Sequence, residues 1–158
     1  MSGFPSPKDP KIFCDLNQFR NGKTSTVPLV CTITNLIPDL CVFWENDRKL
    51  VIIELTVPFE LNAEKAHTRK SNKYAPIVND VMNNDYECEL VALEIGSRGY
   101  ISPHNLGRLK YILKMCNTPV SFKQFRDNIT RLSILSSFSI FHAHKEPSWD
   151  DYPTLNVQ

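Results

Sequence analysis

The chain has 158 residues, 42% hydrophobic and 22% charged, a composition that suits one globular domain and argues against a disordered chain. Eighteen basic residues against seventeen acidic ones leave a net charge of +1, so bulk charge announces no polyanionic partner and any basic surface must come from local clustering. No apolar run reaches the roughly eighteen residues of a membrane span and the N-terminus lacks a signal-peptide core, so an intracellular protein is expected.

In chain order, residues 1–10 carry prolines and a glycine among polar residues and read as a flexible N-terminal arm. Lys11 to Leu16 reads as a short strand, and Asn21-Gly22-Lys23 as a turn. Thr26 to Ile37 is β-rich but broken by Pro28, an irregular approach to the strand that begins near Asp39. Two apolar runs come next, Leu40-Cys41-Val42-Phe43-Trp44 and Leu50-Val51-Ile52-Ile53, with Glu45-Asn46-Asp47-Arg48-Lys49 between them as a hairpin loop. The period then changes. From Asn62 to Asn79, Ala63, Ala66, Lys70, Lys73, Tyr74 and Ile77 share a helical face, and Pro76 is expected to end or kink the helix. Asn83-Asn84-Asp85 reads as a turn, and Tyr86 to Ile95 as a strand with Cys88, Leu90, Ala92 and Glu94 on one face. Gly96-Ser97-Arg98-Gly99 closes that strand and Tyr100-Ile101 is expected to continue it briefly. Helices are expected from His104 to Met115 and from Phe122 to His144, the serines of the second letting it pack closely. The main domain thus covers residues 11–146, and 147–158 read as a C-terminal tail.

The five cysteines, Cys14, Cys31, Cys41, Cys88 and Cys116, are odd in number and widely spaced, which favours free thiols over a disulfide framework or a zinc knuckle. His142 and His144 are too close along a helix to share a face, and no G-x-S-x-G elbow accompanies the serines, so neither a histidine metal site nor a serine hydrolase is indicated.

The richest chemistry lies at the ends of the two apolar runs. Asp39 precedes the first and Glu54 ends the second, so a hairpin brings two carboxylates together at one end of a sheet. Such an oxygen-only pair suits Mg²⁺ (or Mn²⁺), a hard cation that takes one or two carboxylates and keeps several waters. Either acid also reads as a strand-end residue on a solvated edge. A phosphate-cleaving centre needs a cation beside the metal ligands. A strand rising about 3.3 Å per residue from Glu54 to Pro58, answered by a helix returning about 1.5 Å per residue, brings Lys70 level with Glu54, with Lys73 and Tyr74 one turn on. The same lysines also read as a solvated helix face. Gly96-Ser97-Arg98-Gly99 reads as a chain-reversing turn or as a phosphate-binding one, and Glu94 as a candidate third carboxylate.

These residues resemble a family. Pro38-Asp39-Leu40, then Glu54-Leu55-Thr56-Val57-Pro58-Phe59-Glu60, then Ala66 with Arg69-Lys70 and Lys73-Tyr74, then Glu94-Ile95-Gly96-Ser97-Arg98-Gly99-Tyr100 are similar to the restriction-like endonuclease domain of non-LTR retrotransposon proteins, within the PD-(D/E)xK nuclease superfamily. The resemblance implies an α/β fold with a restriction-endonuclease-like central mixed sheet flanked by helices, and Mg²⁺- or Mn²⁺-dependent cleavage of DNA. It implies Asp39 and Glu54 as metal ligands and Lys70 or Lys73 as the catalytic lysine. Arg69, Lys73, Tyr74 and Arg98 form the expected nucleic-acid-binding set. A nuclear location and a reverse transcriptase module or retroelement RNA as further partners belong to the same expectation. The chain departs from the family at Thr56, where a strand lysine is usual, and it carries no reverse transcriptase motif. With the near-neutral charge, Thr56 favours a rival reading: a nuclease fold kept without catalysis, as a DNA-binding or protein-interaction module.

Overall fold

The computed structural model describes residues 10–15 and 25–143. The turn placed at Asn21-Gly22-Lys23, the tail after residue 146, most of the N-terminal arm, and the ends expected at Leu16 and His144 lie outside the described residues.

The protein is α/β, built on a four-stranded mixed sheet ordered β1-β2-β3-β4. The strands are β1 (Lys11–Cys14), β2 (Leu40–Trp44), β3 (Lys49–Thr56) and β4 (Glu87–Glu94). β1 and β3 both run antiparallel to β2, whereas β3 and β4 are parallel. Helix α1 (Ala63–Asn83) makes the crossover that a parallel pair requires, preceded by a single 3₁₀ turn at Glu60–Asn62. Helices α2 (Pro103–Met115) and α3 (Phe122–Ala143) follow β4.

Strand β3 is central and buried on both faces, which is why its sequence is a continuous apolar run and not an alternating one. Leu50 and Ile52 pack with Tyr74, Ile77 and Val81 of α1. Val51 and Ile53 pack on the opposite side with Leu109 and Ile112 of α2, and Phe122, Phe125 and Ile129 of α3 lie against that cluster. The β2–β3 hairpin turns at Arg48, whose φ of 50° is left-handed. Arg48 Nε and Nη2 donate to the carbonyls of Asp85 and Asn84, at 2.9 and 3.1 Å, and tie the hairpin tip to the turn before β4.

Three expectations change. Pro76 does not end its helix: α1 runs on to Asn83, and the buried Ile77 and Val81 beyond the proline anchor the added turn. Tyr100-Ile101 does not prolong β4. The chain reverses instead, with the Gly96 N–H donating to the Tyr100 carbonyl at 2.8 Å and Gly99 at φ 85°. Ser102 then caps α2, its Oγ accepting from the Asn105 N–H at 3.2 Å, with Pro103 in the first turn. Of the serines on α3, Ser133 is buried and donates to the Gly96 carbonyl at 2.8 Å, while Ser136 is exposed and Ser137 half-buried. Close packing by small residues therefore holds at Ser133 and not along the whole helix. Among the described residues, no helix is long and apolar enough to cross a membrane.

Candidate active site

The hairpin register decides where the two acids meet. Leu40 pairs with Ile53, so Asp39, one residue before β2, falls opposite Glu54. Directly opposed residues in an antiparallel pair point to the same face, here the face covered by α1. The two ends are latched reciprocally. The Asp39 N–H donates to Glu54 Oε1 at 2.9 Å, and the Leu55 N–H donates to Asp39 Oδ2 at 2.8 Å. Glu54 is fully buried and Asp39 half-buried.

Lys70 completes this group. Its Nζ lies 2.5 Å from Glu54 Oε2. Lys73 goes elsewhere: its ammonium donates to the Tyr74 hydroxyl at 3.0 Å and sits 4.7 Å from the centre of that ring. The Tyr74 hydroxyl in turn donates to the Ile37 carbonyl at 3.1 Å, which secures the segment leading to Asp39. Burial, with the Glu54 carboxylate nearby, raises the Tyr74 pKa, so this phenol stays protonated and cannot serve as a base. Asp39 also has a raised pKa. Desolvation is the main cause, the Leu55 N–H opposes it, and the charges of Glu54 and Asp15 add to it.

Asp15 joins this end of the sheet without any signal in the sequence. Its N–H donates to the Asp39 carbonyl at 2.9 Å, which sets a third acid beside the pair on the adjacent strand end. No spacing rule flags it, because its place depends on the β1–β2 register. Among the described residues, no group of three or more His, Cys, Asp or Glu side chains is placed to hold a metal ion. The protein therefore offers two carboxylates, Asp39 and Glu54. That donor set fits Mg²⁺ or Mn²⁺, which commonly take one or two carboxylates and fill the rest of the shell with water and substrate phosphate.

Arg69 is exposed on α1 beside Lys65, Thr68 and Asn72, with which it lines a shallow surface depression. Arg98 stands apart. Its N–H and Nε hold Glu60 Oε1 and Oε2 at 2.9 and 3.0 Å, and its guanidinium lies 5.0 Å from the Phe59 ring centre. The anion gripped by the glycine turn is thus the protein's own Glu60. A Cβ on Gly96 would lie 2.6 Å from Glu60 Oε1, so this glycine admits the carboxylate.

Glu94 belongs to a separate polar group at the end of β4. It bonds His67 and Asn105 and does not join the Asp39–Glu54 pair. Thr56, its partner in the parallel register, has a buried Oγ1 with no hydrogen-bond partner among the described residues.

No protein-family model matches the chain. No curated protein matches it in sequence either.

Proposed function

We propose that this protein is a divalent-metal-dependent DNA endonuclease with a restriction-endonuclease-like fold, of the kind found in non-LTR retrotransposon proteins. The observation that carries this reading is the Asp39–Glu54–Lys70 group: two carboxylates brought opposite each other by strand register, with an ammonium 2.5 Å from one of them. Asp39 and Glu54 would hold Mg²⁺ or Mn²⁺. A cation bound there supplies positive charge at the phosphate and makes a water easier to deprotonate. Lys70, delivered by the crossover helix instead of position 56, would offset the charge that develops on the phosphate oxygens and steady the attacking water. Arg69 and Lys73 lie farther along or around the same helix and would contact flanking phosphates, which position a duplex without reading its sequence. A reverse transcriptase module or retroelement RNA would be a further partner, and the nucleus the place of action.

A second reading keeps the fold without the chemistry. Thr56, whose hydroxyl has no hydrogen-bond partner among the described residues, stands where a strand lysine is usual and favours it. On that reading the basic helix binds DNA or a protein and nothing is cleaved. A plasmid-nicking assay with Mg²⁺ and with Mn²⁺ separates the two. Nicking by the wild type that is lost in Asp39→Ala supports the endonuclease; DNA binding without nicking under either cation supports the inactive module.

A further inference from the structure

Two acid–base contacts stand side by side on one face of α1. His67 and Lys70 are three residues apart, and side chains at that spacing are neighbours on a helix. Lys70 meets Glu54 from β3, and His67 meets Glu94 from β4, with Nδ1 2.9 Å from Oε1. Glu94 is only 7% exposed. Such a buried carboxylate must be fully paired. Asn105 Nδ2 donates to its Oε2 at 3.2 Å and to its carbonyl at 2.7 Å, and Arg108 stands 3.8 Å from Oε2.

That anchoring fixes the imidazole. An ionised carboxylate only accepts, so Nδ1 carries the hydrogen shared with Glu94 and Nε2 is left to exchange a proton with something else. The His67 side chain remains 38% exposed. It lines a cavity of about 300 Å³ between the start of α1 and the start of α2. Glu94 pairs in register with Thr56, two residues past Glu54, so the Cα atoms of the two acids are one strand spacing and two residues apart, roughly 8 Å. A substrate phosphate that spans this distance would turn its leaving sugar toward the His67 cavity.

We propose that His67, oriented by Glu94, is the general acid that protonates the leaving sugar oxygen. This rests on the endonuclease reading above. Water oxygen bonds to phosphorus as the bond from phosphorus to the sugar oxygen breaks. The Nε2 proton passes to that oxygen, giving a free hydroxyl, and the attacking water releases one proton to solvent. The imidazole regains its proton from solvent. His67 is the catalytic residue and Glu94 a positioning residue. The charged and titratable groups that line the cavity with the ring are Glu94 from β4, Glu64 from α1, Glu60 from the 3₁₀ turn, Tyr100 from the turn after β4, and His104 and Arg108 from α2.

The test compares nicking of an ordinary duplex with one bearing a bridging sulfur at the leaving position, set by end-labelling of the wild-type product. A thiolate leaves without a proton. His67→Gln is expected to lose about 10²-fold on the oxygen substrate and less than about tenfold on the sulfur one. Asp39→Asn is expected to be inactive on both. Glu94→Gln is expected to show the same selective loss on the oxygen substrate as His67→Gln, because the carboxylate that orients the ring is gone. Independently of activity, long-range ¹H–¹⁵N spectra of the neutral ring should show hydrogen on Nδ1. Equal losses on both substrates, no loss in His67→Gln, or hydrogen on Nε2 overturns the proposal alone. A wild type that nicks neither substrate overturns the endonuclease reading and this proposal with it.

Discussion

Lys70 Nζ stands 2.5 Å from Glu54 Oε2, and Glu54 is 0% exposed. A buried carboxylate with one ammonium partner is costly to break from either side, because the survivor keeps its desolvation penalty without its compensation. The pair therefore has a structural consequence whether or not it has a chemical one.

Lys70→Ala is expected to destabilise the fold by about 3–5 kcal/mol, read from urea unfolding at neutral pH. Adding Glu54→Gln should restore much of that loss, since no charge is then left unpaired. On the endonuclease reading both variants are also inactive in nicking. A Lys70→Ala protein as stable as the wild type would mean that Glu54 and Lys70 are not paired in solution.

Asp39 tests the cost of a half-buried acid. Its pKa is raised above the ordinary 3.8 chiefly by desolvation, so the folded state binds a proton more readily than the unfolded one. Its contribution to stability is full below the unfolded value and is lost as pH rises through the raised folded value. Asp39→Asn should consequently be more stable than the wild type at neutral pH without metal, with the difference vanishing at the acid end of that window. Mg²⁺ should raise the melting temperature of the wild type and not of this variant, because a ligand stabilises only the state that binds it. Equal responses to Mg²⁺ would exclude Asp39 as a ligand.

Thr56 offers a gain. Its buried Oγ1 has no partner among the described residues, and an unsatisfied hydroxyl costs about 1–3 kcal/mol relative to an apolar group of the same shape. Thr56→Val is expected to raise stability by about 1 kcal/mol in thermal unfolding. A loss would show that water or a ligand satisfies the hydroxyl in solution.

Lys73 separates binding from chemistry. With its ammonium on Tyr74 and away from Glu54, Lys73→Ala should leave the folding of the acid pair intact. On the proposed DNA-binding reading it should weaken DNA affinity and reduce the slope of log affinity against log salt by about one. An unchanged slope, or no DNA binding at all, would count against the basic helix as a DNA-binding surface.

The cysteines give a check on the core. Burial pushes the Cys31 thiol up to about 11 and those of Cys41 and Cys88 up to about 12. In native protein at neutral pH these three should resist alkylation, and react only once urea unfolds the chain.

Much of this arrangement is legible in the sequence because it depends on local chemistry. The apolar runs around Glu45–Lys49 specify a hairpin, and a hairpin's register follows from its turn, so the amino-acid order alone sets Asp39 opposite Glu54. The alternation in β4 likewise places Cys88, Leu90 and Glu94 toward α1. Counting rises along β3 and back along α1 puts Lys70 level with Glu54, and the ion pair found there has the same geometry. Tertiary structure alone decided the rest. Pro76 sits within α1 because Ile77 and Val81 bury a further turn, and burial outweighed the local preference of proline. Arg98 turned to Glu60, and Glu94 found His67 and Asn105, through contacts made only when the chain reverses after β4. Asp15 reached Asp39 through the pairing of β1 with β2, two strands distant in sequence. Periodicity and turn chemistry act over a few residues, whereas these partners are chosen by the packing of elements distant in sequence.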